Sequence, residues 1–343
     1  MIRFKFVGFG VTVFNAWSLF APTAAWSAKS ISAAVVNRVV IDPGDSNTLY
    51  AATEIGVFKS TDAAQTWFAI NSGLPTLATQ VVTLDPRDPN TIYVGLFSGI
   101  FKSANGGETW EPTGDLSALY NVHDVAVDPG DSDTIYAGGD GTVVYSKSTN
   151  GGRDWLAGIP AGNGHALSIA IDPLNTSTVY MAVFRFFLPP GGLIKTTDGG
   201  DTWVRAETGL PGTYSNSVAL DPGDSNILYL SLVNDRVYKS ITGGDVWFPT
   251  ALIDPFMSAY GLAIDPNDSN TVFVGTYTPR ERGRVFKSTD GGDSWHEANA
   301  GIGQNTTLSL AVDPRDGNTS YAGTSAGVFK STDGGDCWFP TGQ

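Results

Sequence analysis

Cysteine is almost missing from this chain. Cys337 stands alone, which excludes an intramolecular disulfide and any metal cluster held by several thiolates. Histidine is nearly as scarce, with His123, His165 and His296 showing no metal-ligand spacing. Positive charge is short as well: 20 Lys and Arg stand against 34 Asp and Glu, a formal net charge of -14. That balance argues against general binding to nucleic acid or to an anionic membrane surface. Neither a Gly-x-Ser-x-Gly nucleophile turn nor a phosphate-binding loop occurs. No apolar run after the N-terminus approaches membrane length. What the chain does hold is 41 Gly and 19 Pro among 41% hydrophobic residues, a composition suited to many short strands and turns.

The first 28 residues read as an export signal. Arg3 and Lys5 form a basic start, Phe6 to Ala21 is mostly apolar, and Thr23-Ala24-Ala25 supplies small residues for cleavage near 25–28. The expected mature protein, residues 29–343, is therefore secreted or periplasmic, with no membrane insertion beyond that segment.

One stretch organises the rest. Ser288-Thr289-Asp290-Gly291-Gly292-Asp293-Ser294-Trp295 has six further versions, ending at Trp67, Trp110, Trp155, Trp203, Trp247 and Trp338. Seven copies spaced 43 to 48 residues apart mark a repeat architecture. Each follows an apolar run and a lysine, and each leads into an extended segment. The pattern predicts a tight hairpin turn: the glycine pair supplies positive φ, and the Asp accepts from the turn's own amides. Each indole is expected to pin its hairpin onto the sheet, contributing up to ~5 kcal/mol by buried area. A second landmark, Asp-Pro, also recurs seven times, from Asp42-Pro43 to Asp313-Pro314. A strand-like run precedes it, and a polar turn and an aromatic strand follow. Four short strands per repeat predict an all-β, single seven-bladed β-propeller with four antiparallel strands in each blade. No strand is left over to close the ring, so the junction of blades 1 and 7 is the expected weak seam.

The repeated turn resembles the Asp-box, or BNR repeat, Ser/Thr-x-Asp-x-Gly-x-Thr-Trp. Sialidases, xyloglucanases, the sortilin ectodomain and the photosystem II stability and assembly factor share it. The resemblance covers the chain after residue 33 and implies the propeller fold, but it spans hydrolases and non-catalytic binders alike. By it, Asp62, Asn105, Asn150, Asp198, Asp290 and Asp333, with the seven tryptophans, are structural. Blade 1 departs with Ala63-Ala64 for the glycine pair, blade 5 with Thr242 for the Asp, and blade 7 with Cys337 for the Thr. The resemblance would also imply catalytic arginines and acids in a sialidase, yet the Arg-Ile-Pro signature is absent. Xyloglucanases set two acids between two propellers, and this chain has blades for one. No carboxylate pair stands out from the turn-forming aspartates, which lack the Glu and Gly of a specific calcium loop.

Function is expected where the repeat breaks. Long loops between the second and third strands of blades 4 and 6, the short loop of blade 5 and a connection near Phe256 all fall on the face opposite the repeated turns. They gather Arg185, Phe186, Phe187, Arg236, Phe256, Tyr260, Tyr277, Arg280, Arg282 and Arg284, a set suited to protein or peptide recognition. A second candidate is the mouth of the central channel, lined from Arg38, Gln80, His123, Asp124 and Asn216. His123 beside Asp124 invites an acid–base reading, but neighbours on a strand point opposite ways. The expected function is a non-catalytic, monomeric binding scaffold without cofactor or metal, holding a protein or peptide. The alternative is a glycoside hydrolase acting on extracellular glycans.

Overall fold

The structure is a computed structural model, and it describes residues 30–159, 164–185, 192–212, 214–233, 236–253, 258–277 and 283–342. The expected export signal lies outside them. The chain is all-β: seven four-stranded antiparallel sheets, each in sequential strand order, form a β-propeller. Blade 1 begins at Val36–Asp42 and blade 7 ends at Phe339–Pro340. Innermost strands of neighbouring blades pack on one another all the way round, blade 7 on blade 1 included. The outermost strands are only two residues long; that of blade 1 is half-buried and the others are exposed, as in Glu111–Pro112 and Phe248–Pro249. Short, Pro-bearing edges of this kind offer no template for pairing with another chain.

The repeated turn is closed by its own side chains. In blade 6, Ser288 Oγ donates to Asp290 Oδ1 at 2.7 Å and accepts from the Gly292 amide at 2.8 Å. Asp290 Oδ1 accepts from the Ser294 amide at 2.9 Å. Asn105 and Thr242 do the same work in blades 2 and 5, accepting from the Thr109 amide at 3.0 Å and the Val246 amide at 2.9 Å. Blade 1 keeps the turn with Ala63 and Ala64 at φ 57° and 70°, left-handed values that disfavour a side chain. Cys337 is exposed, and its amide donates to Asp333 Oδ1 at 2.9 Å. Each turn also donates an amide to the Asp-Pro turn of its own blade, as Gly291 does to Asn270 O at 2.9 Å. Both sets of turns therefore occupy one face.

The tryptophans pack on their own sheets, as Trp247 does beside Leu228, Leu230 and Tyr238, and they also tie blades together. Each reaches back to the preceding blade: Trp247 Nε1 donates to Ala206 O at 2.9 Å, Trp338 to Ala298 O at 2.8 Å and Trp155 to Thr113 Oγ1 at 3.2 Å. The lysines are ties as well. All seven lie 5.2 to 5.7 Å above the aromatic ring of their second strand. Lys147 and Lys195 donate to Gly199 O and Gly243 O in the next blade at 2.6 and 2.7 Å. At the seam the same bond, Lys330 to Ala63 O, measures 3.3 Å. Ile31 and Ala34, ahead of the first strand, fill that junction beside Trp67, Tyr321 and Val328. Ring closure thus rests on packing, on hydrogen bonds such as Ser46 Oγ to Asp313 Oδ1 at 2.8 Å, and on a segment outside the repeat.

Candidate functional site at the channel mouth

Each innermost strand starts on the face opposite the turns, and each carries a β-bulge near its start. The register slips between Val36 and Arg38, Thr79 and Val81, Ala166 and Ser168, and Ser215 and Ser217. It slips again between Ala259 and Gly261 and between Thr307 and Ser309. Blade 3 slips twice, skipping His123 and then Asn121, and Asn121 has φ 46°. A bulge re-aims one side chain off the pleat. In blades 1 to 3 the residue re-aimed is Asn37, Gln80 or His123, and in blades 4 to 7 it is Leu167, Asn216, Tyr260 or Leu308. All seven line one cavity of about 240 Å³, together with Arg38, Ser168 and Ser217. Asn37 and Asn216 donate their amide nitrogens to Thr79 O at 2.8 Å and Ala259 O at 2.9 Å on the next blade, which fixes them in the ring.

Asp124 is not in this ring. It is 2% exposed and lies beneath, where Oδ1 accepts from the Arg38 guanidinium and the Val125 amide and Oδ2 from the Ile169 amide at 2.8 Å. One carboxylate thereby ties blades 1, 3 and 4. His123 turns the other way, so no His123–Asp124 pair forms.

His123 meets Asp140 instead. Among the described residues blade 3 has the longest second strand, Asp131–Gly141, and its end places Asp140 Oδ1 2.9 Å from His123 Nε2. His165, on the first strand of blade 4, brings Nδ1 to 3.2 Å from the same oxygen. Asn121 Nδ2 donates to the other carboxylate oxygen at 2.9 Å. Burial raises the Asp140 pKa, but the Asn121 and His123 hydrogen bonds and the two imidazoles outweigh it and hold the carboxyl below its ordinary range. Burial lowers the His165 pKa, against the pull of Asp140. Phe184 stacks on His165 at 5.2 Å and 13°, and Tyr214 backs Phe184 at 4.3 Å.

Sequence reasoning named His123 but missed Asp140, His165, Phe184 and Tyr214. One signal was present: a charge at the end of a second strand, in Gly138-Gly139-Asp140-Gly141, with histidines near the starts of two successive first strands. The double bulge that brings them together has no sequence mark of its own.

Of the expected aromatic and arginine patch, Tyr260 and Tyr277 are half-exposed and meet edge to face at 5.7 Å. Arg284 pairs with Glu297 at 3.1 Å, and Arg236 donates to Thr250 O at 3.4 Å. Arg185 ends its strand opposite Gly164. Its side chain, and Phe186, Phe187, Phe256, Arg280 and Arg282, lie outside the described residues. Phe97 and Tyr120, both well exposed and 5.8 Å apart, extend the aromatic surface to blades 2 and 3. None of the described residues lining the mouth cavity carries a carboxylate. A larger cleft, about 630 Å³, lies between the repeated turns of blades 2 and 3 and is walled by turn residues such as Asn105 and Gly152.

Comparison of the sequence with known protein families found no match, and none of the curated proteins matches it either. Solved structures do match in fold. The GH74 xyloglucanase from Xanthomonas campestris superposes with a TM-score of 0.77 at 20% identity, over 92% of this chain and 56% of that one. The chain thus spans about half the length of that enzyme. YCF48 bound to D1 peptide matches with a TM-score of 0.62 at 13% identity, over 92% of this chain and 95% of that one. The extracellular domain of a putative one-component system from B. thetaiotaomicron matches at 0.67 and 14%, over 89% and 40%. These likenesses establish a shared seven-bladed propeller fold, common to hydrolases and to a peptide-bound protein.

Proposed function

We propose that this propeller is an exported, non-catalytic, monomeric scaffold that holds a protein or peptide partner across its channel-mouth face. The observation that carries the reading is the ring of bulges. Seven side chains of different chemistry are turned into one cavity, while on the opposite face the repeated turns close on their own side chains, as Ser288 and Asp290 do. Amides, a tyrosine and two leucines, with Arg38 beside them, suit an extended peptide offering both backbone polar groups and apolar side chains. The half-exposed Tyr260–Tyr277 pair gives such a partner area at the rim. A peptide-bound neighbour of nearly equal length is in keeping with this reading.

The xyloglucanase likeness motivates a second reading, glycoside hydrolysis. That chemistry needs two carboxyl groups roughly 6.5–9.5 Å apart for inversion or about 5–5.5 Å for retention. The described lining of the mouth offers none. Two experiments separate the readings. Affinity capture from the native extracytoplasmic fraction is expected to retain a partner on the wild-type protein. It is expected to fail with Tyr260→Ala/Tyr277→Ala and with Arg280, Arg282 and Arg284 changed to Ala. Unchanged capture by both variants removes the scaffold reading from this face. Turnover of fluorogenic sialosides or β-glucans that a single carboxylate substitution abolishes would establish the hydrolase instead.

A further inference from the structure

We infer that His123, Asp140 and His165 form a binding site for one divalent transition-metal ion of the zinc class. Two imidazoles and one carboxylate make a donor set that suits zinc, cobalt, nickel or iron far better than calcium or magnesium. The three donor atoms lie within 4.8 Å of one another, and Asp140 Oδ1 stands 2.9 and 3.2 Å from the two nitrogens. A tetrahedral zinc with bonds of ~2.0–2.1 Å separates its ligand atoms by ~3.3 Å. Small side-chain rotations therefore convert the cluster into a coordination shell.

The surroundings are those of a held site rather than of a chance surface contact. His123 and Asp140 sit on paired strands of one sheet, and His165 on the first strand of the adjacent blade, which packs against both, so strand pairing and blade packing together set their spacing. Asn121 engages the far carboxylate oxygen, which orients the near one towards the imidazoles. The Phe184 ring lies flat on His165 and restricts its rotation. The three side chains retain 17 to 26% exposure, enough for an ion and its remaining waters to enter. Three protein ligands leave a coordination position for water or for a carboxylate of a bound molecule. Because His123 also lines the mouth cavity, such an ion would lie at its edge.

The test is a titration of chelator-stripped protein with zinc chloride against a chromophoric chelator, with cobalt chloride in parallel for its visible coordination bands. One ion per chain is expected. His123→Ala and His165→Ala should each lower affinity at least ~100-fold, and Asn121→Ala about 10-fold. His296→Ala, exposed on an outermost strand, should leave binding unchanged. Asp140→Asn preserves shape and is the reporter if the histidine variants fail to fold; it should also lose affinity and the cobalt bands. Absence of stoichiometric zinc or cobalt binding by the wild type overturns the site. So does binding that survives in the folded His123, Asp140 and His165 variants.

Discussion

The two faces of the disc solve different problems with the same strands. On the turn face, seven near-identical hairpins close on their own side chains and bond to their own Asp-Pro turn, and lysines such as Lys195 tie them to a neighbouring blade. On the mouth face, a bulge in each blade, and a second one in blade 3, takes residues out of the ladder, and one residue per blade faces the cavity. Rigidity is concentrated on one side and chemical variety on the other. The lesson is that a repeat can fix a scaffold while leaving one position per blade free to vary.

The largest effect should come from exchanging a fastener of the rigid side for its counterpart on the open side. Trp247 is 1% exposed and bonds across the blade junction, whereas Tyr260 is 40% exposed at the mouth. Trp247→Ala should destabilise by about 3–5 kcal/mol, the range for removing a buried aromatic, read as a fall in the urea midpoint. Tyr260→Ala should cost about 1 kcal/mol or less and act on binding instead. Equal losses in the two variants would erase the distinction between the faces.

The fold was readable because it is written seven times. Each glycine pair, Asp-Pro and tryptophan obeys local rules of turn geometry, and Ser-x-Asp works through bonds spanning four residues. What the indoles and lysines touch was not readable. Trp247 reaching Ala206, or Lys195 reaching Gly243, depends on the spacing between sheets, which no local pattern carries. The mouth was half legible. Counting back five residues from each Asp-Pro names the ring, as it did for Gln80, His123 and Asn216, but that the bulge there aims inward is a property of the paired strand. The His123–Asp140–His165 cluster left only a faint mark for the same reason: its members come from three strands, and a second bulge at Asn121 sits among them.

Beneath the mouth, Asp124 is where the open face borrows the rigidity of the other. Its removal orphans the buried Ile169 amide and frees Arg38, so Asp124→Ala should cost about 2 kcal/mol. Arg38→Ala, taking away the half-exposed partner, should cost roughly half that, because both amides still satisfy the carboxylate. Chemical denaturation of both variants checks the order. A larger loss from Arg38→Ala would mean that the ion pair, rather than the amide tie, holds blades 1, 3 and 4 together.

The smallest effect is expected within the turn face itself. Asp290 accepts from the Ser294 and Ser288 hydroxyls and the Ser294 amide, and these bonds hold its pKa at about 2, against an ordinary 3.8. A carboxyl depressed in the folded state stabilises at every pH above its unfolded value. That contribution is lost as the pH falls through the folded one, so the window runs from about 4 down to about 2. Blade 2 performs the same role with Asn105, which cannot titrate: it accepts from Ser103 Oγ at 2.8 Å and the Thr109 amide at 3.0 Å, and returns a donor to Thr109 Oγ1 at 2.9 Å. Asp290→Asn should therefore leave the melting temperature at pH 7 little changed. It should also shrink the drop between pH 4 and pH 2 relative to wild type. A drop of undiminished size would show that the acid sensitivity arises elsewhere.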